Sequence, residues 1–157
     1  MVNVKGKTIF LADATVNVYP DSPTLAEIAI QTAKIARRFG VNPKVAMLSF
    51  SNFGSTRAQR STRIEEAIEI AKEIDPTLVI DGPMQADTAL NPAVQGDYPF
   101  MNFSGPANVL VLPNLAAANI AYKLLEELGG AEMTGPILEG MDKPCLLYTS
   151  DAADDVE

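Results

Sequence analysis

The stretch LSFSNFGSTR, Leu48–Arg57, concentrates side chains suited to holding an anion. Five of its ten residues are Ser, Asn or Thr. Ser51, Asn52, Ser55 and Thr56 could donate hydrogen bonds to a phosphate, and Gly54 would let the backbone approach it closely. Arg57, Arg60 and Arg63 follow and would add positive field. The spacing matches neither the glycine pattern of dinucleotide-binding turns nor the lysine-containing phosphate loop. The same residue types also build an ordinary strand-to-helix turn, so an anion site and plain turn chemistry both stand.

Other residues offer weaker chemistry. Asp81 and Asp87 bracket a loop and could act as acid, base or metal ligand, or simply cap and bond backbone. Asn119 and Tyr122 lie three apart and share one face of a helix, facing either a cleft or a packed interface. Cys145 is the single cysteine; with no base near it in sequence it reads as inert. The chain contains no histidine, which removes the commonest general base and the usual zinc ligand. No residue is assigned a catalytic or metal-binding role.

The elements that would position these residues alternate strand and helix. TIFLA, Thr8–Ala12, is a short β-branched apolar run. A helix follows, with Ser22 expected as its cap and Pro23 in its first turn. Its buried stripe is Leu25, Ile28, Ala29, Thr32, Ile35, Ala36 and Phe39, and Gly40 ends it. KVAMLSF is the next strand. STRIEEAIEIAKEID is a second amphipathic helix, with Ser61 as cap and Ile64, Ala67, Ile68 and Ala71 buried. TLVID is a third strand, GPMQADTALNP a short helical turn, and NVLVLP, Asn108–Pro113, the clearest central strand. NLAAANIAYKLLEELGG is a third long helix, and TGPILEG starts a further strand. Such alternation predicts an α/β fold with a mostly parallel sheet. In these sheets ligands sit at the carboxyl ends of strands, where the Leu48–Arg57 loop falls.

Charge narrows the partners. Residues 1–74 carry 10 Lys and Arg against 7 Asp and Glu, a net of +3, whereas residues 75–157 carry 2 against 13, a net of −11. The acidic half argues against nucleic acid. No apolar run approaches the ~20 residues of a membrane span, and the N-terminus lacks a signal peptide pattern. A cytoplasmic protein with no membrane partner is the expectation.

Taken together, FLADATVNVYP, LAEIAIQTAKIARRFG, PKVAMLSFSNFGS, DGPMQADTALNP, GPANVLVLPNLAAANIAYKLLEELGGAE and GPILEGMDKP resemble the phosphate acetyl/butyryltransferase family, from about Thr8 to Pro144. SNFGS, MQADTALNP and YPF…GPANVL are most similar to the C-terminal transferase-like domain of bacterial NADP-dependent malic enzymes. The resemblance implies a three-layer α/β/α sandwich of the isocitrate-dehydrogenase-like kind, here an incomplete fragment. It implies an acetyl-CoA or phosphate ligand, a homo-oligomer, and a parent whose malic enzyme module uses NADP and a divalent metal. A phosphate acetyltransferase parent and a non-catalytic assembly module are the alternatives. By resemblance, the cleft opposite Ser51, Asn52, Gly54, Ser55 and Thr56 has the Gly135–Pro136 turn as its other wall. Thr134 stands where active transferases tend to carry Tyr, and their Ser-Arg-Gly-Cys-Ser motif is replaced by CLLYTSDAADDVE. That string resembles translated sequencing-adapter read-through, so residues 1–144 are expected to be domain and residues 145–157 a non-native tail.

Overall fold

The computed structural model describes residues 1–55, 59–138 and 145–146. Six strands form one sheet in the order β4-β3-β5-β2-β1-β6. They are β1 (Val2–Val4), β2 (Lys7–Ala12), β3 (Val45–Leu48), β4 (Ile80–Met84), β5 (Val109–Val111) and β6 (Glu132–Met133). Strands β2, β5, β3 and β4 run parallel, while β1 pairs antiparallel with both β2 and β6. A separate two-stranded ribbon joins β7 (Ile137–Leu138) and β8 (Cys145–Leu146).

Alternation along the strands divides the core. Val45 and Met47 of β3 and Val109 and Val111 of β5 face α1 (Ser22–Arg38) and α2 (Gln59–Ile74). Ala46, Leu48, Leu110 and Leu112 face the opposite side, where Ala89 of α3 (Ala86–Leu90) and Ala118 of α5 (Leu115–Gly129) complete a second cluster. The result is three layers, helices on both faces of a mostly parallel sheet. Both-face burial is what makes the strands read as continuous apolar runs. The second-helix stripe is buried as expected, Ile64, Ala67, Ile68 and Ala71 all lying inside. Among the described residues, no helix is long and apolar enough to cross a membrane.

Local readings need correction in four places. The cap of α1 is Asp21, whose Oδ1 accepts from the Thr24 N–H at 2.9 Å. Ser22 instead donates to Glu66 on α2 at 2.7 Å. Ser61 lies inside α2, which begins at Gln59. Phe39 is exposed, packing its ring 5.9 Å from that of Phe10. The third predicted strand, TLVID, is displaced: β4 runs Ile80–Met84, through Gly82 and Pro83. Gly82 has φ 141°, and a Cβ there would meet the Met47 carbonyl oxygen at 2.6 Å. Glycine inside a strand marks this kind of close backbone approach.

The short α4 (Pro92–Gln95) follows α3. The connection beyond it runs along β4, where the Asn102 N–H donates to Asp81 Oδ2 at 2.7 Å and the Asn102 amide donates to the Ile80 carbonyl at 3.2 Å. The expected tail falls on residues that, apart from 145–146, lie outside those described.

Candidate functional site

The loop after β3 is knitted to the loop after β4. The Asn52 Oδ1 accepts from the Gln85 N–H at 2.8 Å, and Asn52 Nδ2 donates to Tyr98 Oη at 3.1 Å and to Gln85 Oε1 at 3.3 Å. The Gln85 Nε2 donates to the Phe50 carbonyl at 2.7 Å, and the Phe53 N–H to the Pro83 carbonyl at 2.7 Å. Phe53, held at φ 47°, packs against Tyr98 and Phe100 with ring centroids 5.3 and 4.9 Å away. Ser51 is buried, and among the described residues its Oγ has no hydrogen-bond partner. Gly54, at φ 72°, sits where a Cβ would lie 3.0 Å from Glu65 Oε1. Ser55 is exposed. Thr56 lies outside the described residues, as does Arg57.

The loop after β2 is organised from within. Asp13 collects the N–H groups of Thr15 and Val16 on Oδ1, at 2.8 and 3.1 Å. The N–H and side-chain amide of Asn17 both reach Oδ2 at 2.7 Å. Burial opposes ionisation of Asp13, but the N–H donors of Thr15, Asn17 and Val16 and the Asn17 amide outweigh it and hold the carboxyl below its usual range. Sequence reasoning read DATVN as plain loop. The available signal was an Asp followed by polar residues two and four positions on, the pattern of a side chain capping its own turn.

This second loop opens onto a cleft of about 960 Å³. Its walls are Asp13–Asn17, one face of α1 including Thr24 and Gln31, one face of α5 including Asn119, Tyr122 and Lys123, and the Thr134–Leu138 segment. Thr134, Gly135 and Pro136 therefore lie here, with the Thr134 N–H on the Met1 carbonyl at 2.9 Å. Asn119 and Tyr122, singled out by their shared helix face, do reach a cleft together. Ser51–Ser55, in the loop after β3, are not among the residues lining this cleft. Arg63 is engaged elsewhere, donating to the Pro20 carbonyl and, at 2.8 Å, to that of Pro113. Asp81 and Asp87 accept backbone N–H groups, from Gly82 and Asn102 and from Thr88 respectively. No group of three or more metal-ligating side chains occurs among the described residues.

The family model described as phosphate acetyl/butaryl transferase matches residues 1–156. The chain belongs to this family. Within the phosphate acetyl/butaryl transferases and their relatives, two kinds of protein match at similar identity. The NADP-dependent malic enzyme of Rhizobium meliloti is 43% identical over 150 residues, 96% of this chain and 20% of that protein. The phosphate acetyltransferase of Bacillus subtilis is 46% identical over 134 residues, 85% of this chain and 42% of that protein. The crystal structure of a phosphotransacetylase from Streptococcus pyogenes superposes with a TM-score of 0.86 at 39% identity, covering 92% of this chain and 45% of that one. The chain thus spans a fifth of the malic enzyme relative and under half of the transferases.

Proposed function

We propose that this chain is part of an NADP-dependent malic enzyme and forms a transferase-like domain that binds acetyl-CoA without transferring its acetyl group. The observation that carries the reading is the cleft of about 960 Å³ at the carboxyl end of β2, lined by amide, hydroxyl and ammonium groups of Asn17, Thr24, Asn119, Tyr122 and Lys123 together with the carboxylates of Asp13, Glu27 and Glu126. That volume suits a cofactor-sized ligand, and Thr134, Gly135 and Pro136 would touch it from the far side. The loop carrying Ser51, Asn52, Gly54, Ser55 and Thr56 would shape the neighbouring rim, with Ser55 offering its exposed hydroxyl. Acyl transfer further needs a base for the thiol and fixed donors on the developing oxyanion. The chain has no histidine, and Asp13 already accepts four hydrogen bonds. NADP and a divalent metal would belong to the malic enzyme module of the parent, a cytoplasmic oligomer.

Calorimetry with acetyl-CoA, and an assay of CoA-dependent acetyl phosphate turnover on the same sample, test this. Binding without turnover is expected, and turnover well above background would overturn it. The second reading, a working phosphate acetyltransferase parent, is favoured by the 46% identity to the Bacillus subtilis enzyme and predicts that turnover once the rest of the parent is restored. Self-association is proposed through α5, where Ile120, Leu124 and Leu128 stand exposed at four-residue spacing; sedimentation showing only monomer would refute it. Residues from about 145 onward are proposed to be foreign to the domain, and the genomic sequence following the Pro144 codon decides that.

A further inference from the structure

Strands β2 and β5 are parallel neighbours, yet the helices that follow them leave to opposite faces of the sheet, α1 to one and α5 to the other. A crevice opens at the carboxyl ends of such a pair. The large cleft lies on the β2 side of this junction, lined by Ala12–Asn17, and both helices supply its walls, with Thr24 and Leu115 close to their starts. A change in the separation of the two helix starts would change its width.

Arg63 of α2 touches both beginnings. One guanidinium nitrogen, Nη1, donates to the carbonyl of Pro20, the residue before the α1 cap Asp21. Nη2 donates at 2.8 Å to the carbonyl of Pro113, the residue before the α5 cap Asn114. The guanidinium carbon lies 5.3 Å from the Tyr19 ring centroid. The Leu115 N–H donates to the Val18 carbonyl at 3.3 Å, a second tie between the same segments. A cation beside two helix N-termini gains nothing from their dipoles and opposes them. Its placement is explained by the attraction of the Asp21 carboxylate at the α1 cap and by the planar fork, which reaches two diverging carbonyls at once in a way a lysine ammonium does not.

We propose that Arg63 is a positioning residue that sets the width of the cleft by stapling the starts of α1 and α5, and through that width sets affinity for the ligand. The affinity clause rests on the acetyl-CoA reading; the stapling does not.

The test compares wild type, R63K and R63M in the full chain by backbone hydrogen exchange and by acetyl-CoA calorimetry. In R63M, amides of residues 15–19 and 114–118 should lose protection together, while β3 and β4 keep theirs. Acetyl-CoA affinity should fall about tenfold, since small misplacement of a binding wall is felt strongly. R63K, retaining charge but not the fork, should lie between. Wild-type protection in either segment of R63M overturns the stapling, as does uniform loss across the sheet. If R63M fails to fold, R63K carries the same comparison. Unchanged affinity despite loosened segments overturns the width-to-affinity link. Wild type that does not bind acetyl-CoA overturns both that link and the proposed ligand, while the exchange result still decides the stapling.

Discussion

Two loops at the carboxyl edge of the sheet reach order by opposite routes. The loop after β3 is fixed by its neighbours: Asn52 bridges to Gln85 and Tyr98, and Phe53 lies on an aromatic cluster. The loop after β2 is fixed by itself, with one carboxylate gathering the N–H groups of three of the next four residues. The first is richer in hydroxyls and amides, yet its Asn52 amide is spent on Gln85 and Tyr98. The second contributes fewer polar residues and opens onto the large cleft. Polar content alone does not mark a binding surface; what matters is which loop faces a cleft.

The sharpest way to break the β3 loop is from beneath. Gly82→Ala would drive a Cβ into the Met47 carbonyl, displacing β4 and the Gln85 that Asn52 grips. A cost of about 3 kcal/mol or more is expected from a backbone clash at positive φ, read by urea denaturation, and a shift under about 1 kcal/mol would contradict the close approach. Asn52→Ala removes three hydrogen bonds and should cost about 1.5–2.5 kcal/mol, with a change in tyrosine fluorescence from Tyr98. A silent Asn52→Ala would mean the β3 loop is not held by its neighbours.

Asp13→Ala should cost less, about 1–2 kcal/mol at neutral pH, because the half-exposed carboxylate is partly screened. Its carboxyl is depressed when folded, so its contribution is present above the unfolded carboxylate pKa of about 4 and is lost as pH falls through the lower folded value. The stability gap between wild type and Asp13→Ala should therefore close below about pH 4. A gap constant from pH 7 to pH 3 would show that the charge is irrelevant to the turn. Smallest is Ser51→Ala. Its buried hydroxyl lacks a partner among the described residues, so removal should be neutral or stabilising by up to about 1 kcal/mol. A clear loss of stability would place an unseen partner on Ser51, and a clear loss of acetyl-CoA affinity would return the β3 loop to the ligand.

The layered fold was legible because burial on both faces leaves a direct trace, as in NVLVLP for β5 and the Ile64–Ala71 stripe of α2. Strand β4 was misplaced because Gly82 and Pro83 read as a break, while the reason for the glycine is the Met47 carbonyl on another strand. Strands β1 and β6 are three and two residues long, too short for any period. Asp21 was passed over in favour of Ser22 because both are good caps and the choice turned on Glu66, 44 positions away. The Asn52–Gln85–Tyr98 bridge joins residues far apart in sequence and leaves no local signal. Asp13 did leave one, since its partners all lie within four residues.

Asn102 gives the sheet a finished border. The Asn102 amide occupies the Ile80 carbonyl, a backbone group that an outermost strand would otherwise offer to another molecule, and the Asp81 carboxylate holds the Asn102 N–H in place beside it. Unguarded borders of this kind invite ribbon-like polymerisation of one chain upon the next. Strand addition is thus opposed at Ile80, where an incoming chain would have to displace Asn102 before it could pair with β4.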